Sequence, residues 1–167
     1  VCSSDLVDNL QMQAVAIQTT GLPTTLLEML TAQPSTAPLL REARHQDPQW
    51  FTSYGQVLRF CQPGGEGDLR RLGVQPGEVV AYLAPPGGSV TAALAFLSIA
   101  CQACAAPLDP RLSEVDTWMA LEQIRPQHLV LFIGMAAPAA EAAFERYAQT
   151  GQAQLHRAEP TRRESPG

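Results

Sequence analysis

The chain has 167 residues, which at roughly 150 residues per domain predicts one domain or one piece of a larger one. Its apolar content of 46% is enough for a core, and 16 acidic against 11 basic residues give a formal charge of -5. With no basic block longer than Arg162-Arg163, it lacks the clustered positive face that nucleic acid requires. Every basic residue is an arginine, so chemistry that needs a lysine is excluded from this polypeptide.

The chain opens on Val1 and closes on the polar run from Pro160 to Gly167, and it is expected to be a piece of a longer product. No secretory leader is visible, and Cys2, Cys61, Cys101 and Cys104 are too few for a disulfide-built secreted domain. Reduced thiols and an intracellular location, cytoplasmic or peroxisomal, are the expectation. Residues 1–21 show no sustained period and are expected to be a poorly ordered lead-in. Residues 22–159 carry the folded unit, and 160–167 form a polar tail at a truncation point.

In chain order, Thr25-Leu-Leu-Glu28 has the spacing of a capping box and predicts a short helix through Leu30. Leu39-Leu40 and the run Trp50 to Tyr54 flank the polar stretch Arg44 to Pro48 and predict paired strands. A helix follows from Gly55 to Cys61 and is broken by Pro63-Gly-Gly-Glu-Gly67. Asp68 caps a brief helical turn that stops at Gly73, and the apolar run Val79 to Ala84 predicts a strand buried on both faces. Pro85 to Gly88 makes a turn, Ser89 is placed to cap, and the Ala-rich stretch Val90 to Ala106 predicts a long helix. Pro107 to Pro110 reads as extended, and Ser113-Glu-Val-Asp116 has capping-box spacing for a helix ending near Arg125. His128 to Ile133 predicts a second buried strand. Pro138 to Thr150 predicts a helix stopped by Gly151, and Ala153 to Ala158 a last strand. Strands alternating with helices of this length predict a layered α/β fold with a parallel sheet and right-handed crossover helices.

The stretch Val90 to Leu108 approaches the length of a membrane span. The turn at Pro85 to Gly88, the polar Gln102, the many alanines and the lack of a flanking arginine cluster argue for a helix packed on a sheet, so no membrane span is expected. Small residues such as Ala100, Cys101, Ala103, Cys104 and Ala105 would permit that close packing.

Cys101-Gln-Ala-Cys104 has the spacing of a redox pair or half a zinc site. A redox pair sits at a helix N-terminus, where the dipole favours a thiolate. This one falls at the C-terminal end of the predicted helix, so packing is its expected role. A thiol redox protein using Cys101 and Cys104 remains an alternative. For zinc, Cys2, Cys61, His45, His128 and His156 supply no second close-spaced pair, and no metal site is expected. Pro85-Pro-Gly-Gly-Ser89 lies between strand and helix, where amides bind phosphate, yet it lacks both the P-loop lysine and the three-glycine dinucleotide pattern. Ser89 is not in a nucleophile elbow and the histidines are scattered, each read as a surface or satisfied structural residue. Asp109 and Glu114 are close in sequence, but Asp109 is expected to order its own turn. No catalytic, cofactor-binding or metal-binding residue is assigned.

The segments Phe51-Thr-Ser-Tyr54, Leu72-Gly-Val-Gln-Pro-Gly-Glu-Val-Val-Ala81, Pro85-Pro-Gly-Gly88 and Leu97 to Pro110, ending Ala-Ala-Pro-Leu-Asp-Pro, occur in an order and spacing that resemble the AMP-dependent synthetases. These are the adenylate-forming enzymes that include acyl-CoA ligases. The resemblance runs from about Leu26 to Glu159 and implies that 22–159 is the N-terminal part of an AMP-binding (adenylation) domain. Ala105-Ala-Pro-Leu108 and the Ala-rich run Ala137 to Ala143 resemble oxalate-CoA ligases and related short-chain carboxylate ligases. Pro63 to Gly67 departs from the family by interrupting a helix.

The resemblance implies a parent that activates a small carboxylate as acyl-AMP and transfers it to a thiol, using ATP, Mg and coenzyme A. The family's phosphate loop, acidic metal ligand, ribose-binding aspartate and late catalytic lysine have no counterpart in this chain. The chain alone is therefore expected to be inactive and to bind no cofactor, with the remainder of the same domain as its partner. The alternative is a non-catalytic α/β binding or interaction module derived from that scaffold.

Overall fold

A computed structural model describes residues 25–41, 51–85 and 90–159. The first helix, α1 (Leu26–Thr31), opens with the expected capping box, Glu28 N–H donating to Thr25 Oγ1 and Thr25 N–H to Glu28 Oε2. Strand β1 (Pro38–Leu40) pairs antiparallel with β2 (Thr52–Ser53), and α2 (Tyr54–Cys61) follows at once. Tyr54 was expected in the strand. It is helical because Ser53 and Gln56 close a second capping box, which fixes the helix start one residue before Gly55.

A four-stranded parallel sheet carries the rest: β3 (Val79–Leu83), β4 (Cys104–Leu108), β5 (His128–Phe132) and β6 (Gln154–Ala158), in the order β4-β3-β5-β6. Helix α3 (Val90–Ala100) links β3 to β4, α4 (Glu114–Ile124) links β4 to β5, and α5 (Pro138–Gln149) links β5 to β6. Because the first crossover runs one way along the sheet and the next two run the other, right-handed connections put α3 on one face and α4 and α5 on the other. The side chains agree. Val80, Tyr82 and Val130 pack with Ala95 and Ile99 of α3, whereas Ala81, Leu83, Leu129 and Leu131 pack with Leu121, Phe144 and Tyr147. Trp118 meets Tyr147 edge-on at 5.6 Å between ring centroids, fastening α4 to α5. A third cluster, built on Leu30, Val57 and Cys61, seats α1 and α2 against Leu94 and Leu97 of α3.

One predicted element is wrong in its extent. The helix expected over Val90 to Ala106 stops at Ala100, and Cys104–Leu108 is strand β4, paired residue for residue from Val79↔Cys104 to Leu83↔Leu108. Alanine propensity favours helix here, but a whole parallel ladder and a buried Leu108 outweigh it. Gln102 makes the stop: its Oε1 accepts from Leu69 N–H at 3.0 Å, and its Nε2 donates to Gly67 O at 2.7 Å and Ser98 O at 3.0 Å. Pro107 is tolerated because β4 is an edge strand. Ala103 and Ala105 therefore pack from a turn and a strand, not from a helix face.

The break after α2 is ordered by its own contacts. Asp68 accepts from Gly64 N–H at 2.7 Å and from the Arg70 side chain at 2.7 and 2.9 Å, and it caps the 3-10 turn Leu69–Leu72 that ends at Gly73 in the left-handed region. Gly67 lies so close to α3 that a Cβ there would sit 2.6 Å from Ser98 Oγ and 2.7 Å from the Phe60 ring. The lead-in 1–21, the polar stretch 44–48, the Pro86 to Ser89 part of the predicted turn and cap, and the tail 160–167 lie outside the described residues. Among the described residues, no helix is long and apolar enough to cross a membrane.

Candidate functional site

The direction of the connections changes between β3 and β5, and in open parallel sheets ligands bind outside the carboxyl ends of the strands at such a point. Beside it, at the carboxyl ends of β3 and β4, lies a cavity of about 370 Å³ lined by Ala84, Pro85, Leu108, Asp109, Pro110 and Arg111. Ala84 N–H donates to Leu108 O at 2.9 Å, and Ala137 N–H donates to Pro110 O at 2.9 Å, so the loops after β3, β4 and β5 are tied together. Asp109 accepts from Arg111 N–H at 2.9 Å, Nε at 3.0 Å and Nη2 at 2.8 Å. That partner holds the carboxyl down to about 2. Asp109 thus orders its turn, as its sequence position predicts. Glu114 is not brought to it but lies 3.5 Å from Arg146 Nη1.

These residues make a weak cradle for a nucleotide. The cavity's arginine is already engaged by Asp109, the chain has no lysine, and no group of three or more potential metal ligands occurs among the described residues. The described residues do not by themselves fit ATP or its metal. The Gly-rich turn that could present amides to an anion falls, after Pro85, outside them.

At the amino ends of the strands the fold assembles a cluster that the sequence reading left scattered. Glu78 Oε2 lies 2.9 Å from His128 Nε2, and His128 Nδ1 lies 3.1 Å from His156 Nε2, with the two rings stacked at 5.4 Å. Glu78 as a carboxylate only accepts, so with both rings neutral a consistent chain runs from His156 N–H to His128 Nδ1 and from His128 Nε2–H to Glu78. Burial, followed by the neighbouring His128, pulls His156 below the usual histidine range. Gln75 N–H, then His128, lowers Glu78. The available signal was face parity. His128 and His156 occupy the same sheet face on adjacent parallel strands, and Glu78 immediately precedes Val79 of β3. The cluster reads as a polar latch across three strands. His128 is the satisfied structural histidine expected, and His45 lies outside the described residues.

The thiols also rearrange relative to expectation. Cys104 is exposed on β4, while Cys101, in the turn after α3, packs into the third cluster, which also holds the buried Cys61. Cys61 and Cys101 thus share one cluster, of which Cys104 is not a member. On the same side of the molecule, a largely apolar groove of about 260 Å³ runs between Leu69, Leu72 and Ile99 and the sheet residues Val130, Phe132 and Ala158.

No protein-family model and no curated protein sequence matches the chain. Solved structures do match. ATP-bound MatB from Rhodopseudomonas palustris superposes over 83% of this chain and 26% of its own, at a TM-score of 0.62 and 16% identity. A benzoate CoA ligase from Burkholderia xenovorans LB400 matches over 80% of this chain and 25% of its own, at 0.54 and 19%. The N-terminal domain of FACL13 from Mycobacterium tuberculosis matches over 67% and 28%, at 0.51 and 21%. The chain therefore has the α/β fold found in the N-terminal part of these proteins, and it spans about a quarter of the length of the structures it matches.

Proposed function

We propose that the chain is the N-terminal part of the adenylation domain of an ATP-dependent acyl- or carboxylate-CoA ligase. The observation that carries this reading is the likeness of the β4-β3-β5-β6 unit to MatB over 83% of the chain. The ordered motifs support it independently. In Leu72 to Ala81, Gly73 and Gly77 adopt φ of 81° and 87°, conformations that favour glycine and turn the chain into β3. The run Ala105 to Pro110 forms the edge strand and the Asp109 turn.

On this reading the parent couples a carboxylate to the α-phosphate of ATP, releases pyrophosphate and passes the acyl group from AMP to a thiol, with Mg and coenzyme A as its other requirements. A short-chain carboxylate such as oxalate is the first substrate to assay. The chain contributes scaffold: strand ends that wall one side of a crevice, completed by the remainder of the domain. The partly open groove over β5 and β6 fits that role, since α3 covers one part of that face while α4 and α5 cover the opposite one.

Sequencing the full transcript through and beyond the codon for Gly167 tests the proposal. The expected result is a reading frame that continues into a phosphate loop and a late lysine. A stop codon directly after Gly167 would overturn it in favour of a non-catalytic module. Calorimetry on the chain alone is expected to give no saturable ATP heat up to millimolar concentrations.

A further inference from the structure

We infer that Glu78, His128 and His156 form an acid-operated latch on the edge strand β6, which holds one added proton and on the second frees the amino end of β6 from β5. The inference is independent of the ligase reading.

The placement of the three side chains carries it. β6 pairs with β5 alone, so a single ladder holds it, and at its amino end Gln154 N–H donates to Gln127 O at 3.0 Å. His156, two residues further along, reaches back to His128, the ladder partner of Gln154. Its Nε2 lies 3.1 Å from His128 Nδ1, with the rings stacked at 5.4 Å. On the far side of His128, Glu78 Oε2 lies 2.9 Å from Nε2 and also accepts from Gln75 N–H at 2.7 Å, which anchors the carboxylate to its own loop. His128 is buried with both ring nitrogens engaged. A cavity of about 520 Å³ lined by Glu78, Gln127, His128 and Gln154 opens beside the network and gives water a route to it.

Proton count decides which bonds survive. With both rings neutral, His156 donates to His128 Nδ1 and His128 donates to Glu78. One added proton reverses only the bond between the rings. His128 as imidazolium then donates from Nδ1 to His156 and from Nε2 to Glu78, while His156 keeps its own proton on Nδ1. A second proton places N–H groups on both of the nitrogens that face each other at 3.1 Å, so that bond is lost and two stacked cations share one carboxylate. Burial and then the charge of His128 lower His156, so the second proton binds better once the strand has moved away, and opening is favoured as pH falls below about 6.5. Among the described residues, the other charged and titratable groups around this face are occupied or neutral. Helix α3 carries no charge, Asp68 pairs with Arg70, Arg71 donates to Gly64 O, and burial raises the Tyr82 hydroxyl. Arg157 pairs with Glu145 across the opposite face, and Glu159 lies exposed past the end of β6.

Hydrogen–deuterium exchange of the full chain at pH 7.5 and pH 5, corrected for the intrinsic exchange rate and read by peptide mass spectrometry, tests the latch. Protection over Gln154–Ala158 is expected to fall about tenfold more than protection over β3 and β4, the factor that one pKa unit of linkage supplies. His156→Gln, whose amide oxygen still accepts from His128 and takes up no proton, should keep β6 protected at both pH values. Glu78→Gln removes the charge that offsets the first proton and should move the opening to higher pH. Nitrogen NMR of the wild-type imidazole rings needs no variant, and should show the His156 proton passing from Nε2 at pH 8 to Nδ1 after the first uptake. A β6 as protected as β3 at pH 5, protection lost from all four strands together, a β6 response unaltered in His156→Gln, or a His156 that keeps one tautomer throughout would each overturn the inference.

Discussion

Thr117 is fully buried in α4, and its hydroxyl has no hydrogen-bond partner among the described residues. Replacing it by valine keeps the shape and removes an unsatisfied polar atom, so Thr117→Val is expected to be neutral or to stabilise by up to about 1 kcal/mol. Thermal melts check this, and a loss of more than a few degrees would show that the hydroxyl is bonded in solution. The latch at Glu78, His128 and His156 gives a second expectation, for pH. His156 is lowered in the fold, so the unfolded chain binds more protons once pH falls below about 6.5, and stability present above that value is lost on acidification. Glu78 is also lowered, and its contribution is lost at still lower pH, as pH falls from about 4.5 through its folded value. Tm measured from pH 8 to 2 should fall in two stages, and His156→Gln should flatten the upper one. An unchanged profile in that variant would place the upper stage elsewhere.

At the scale of elements, side-chain caps set where helices begin and where one of them yields to a strand. Ser113 Oγ accepts from Asp116 N–H at 3.1 Å, while its hydroxyl, and not its backbone N–H, donates to Asp116 Oδ2 at 2.7 Å. The expected capping box is therefore half made. Ser113→Ala should still cost about 1 kcal/mol, or about 2–4 °C in Tm. The other end of α4 holds Arg125 at φ 50°, the only non-glycine residue with positive φ among those described. Arg125→Gly relieves that conformation and should raise stability by about 1 kcal/mol. Gln102 acts across a longer span, since its three bonds join α3 to the loop at Gly67 and Leu69. Gln102→Ala leaves those backbone groups without their partner and should lower Tm by about 4–8 °C. Little change in Tm would mean that water replaces the side chain.

For the molecule as a whole, the two faces of the sheet differ. One is closed by Leu121, Phe144 and Tyr147, all fully buried, whereas the other keeps a groove beside Leu72, which is 38% exposed. On the proposed reading, the remainder of the domain packs against that surface. The isolated chain is accordingly expected to bind a hydrophobic dye, and Leu72→Glu should weaken that binding while shifting Tm by no more than a few degrees. Undiminished dye binding in the variant would locate the open surface elsewhere.

Local chemistry made most of the elements legible. The caps at Thr25, Asp68 and Ser113, the apolar runs at Val79 and His128, and the alternation of strand and helix depend on neighbours a few residues apart, which a sequence displays directly. The parallel α/β class followed from that alternation. What happens after Ala100 was not legible, because alanine and cysteine suit a helix or an edge strand about equally and the ladder with β3 decides between them. The same holds for the side-chain groupings. His128 meets His156 and Glu78 through the register of parallel strands, and Cys61 comes into one cluster with Cys101 through the packing of α2 on α3. Those partners lie 28, 50 and 40 residues apart in sequence, separations that carry no local signal and are set only when the layers close.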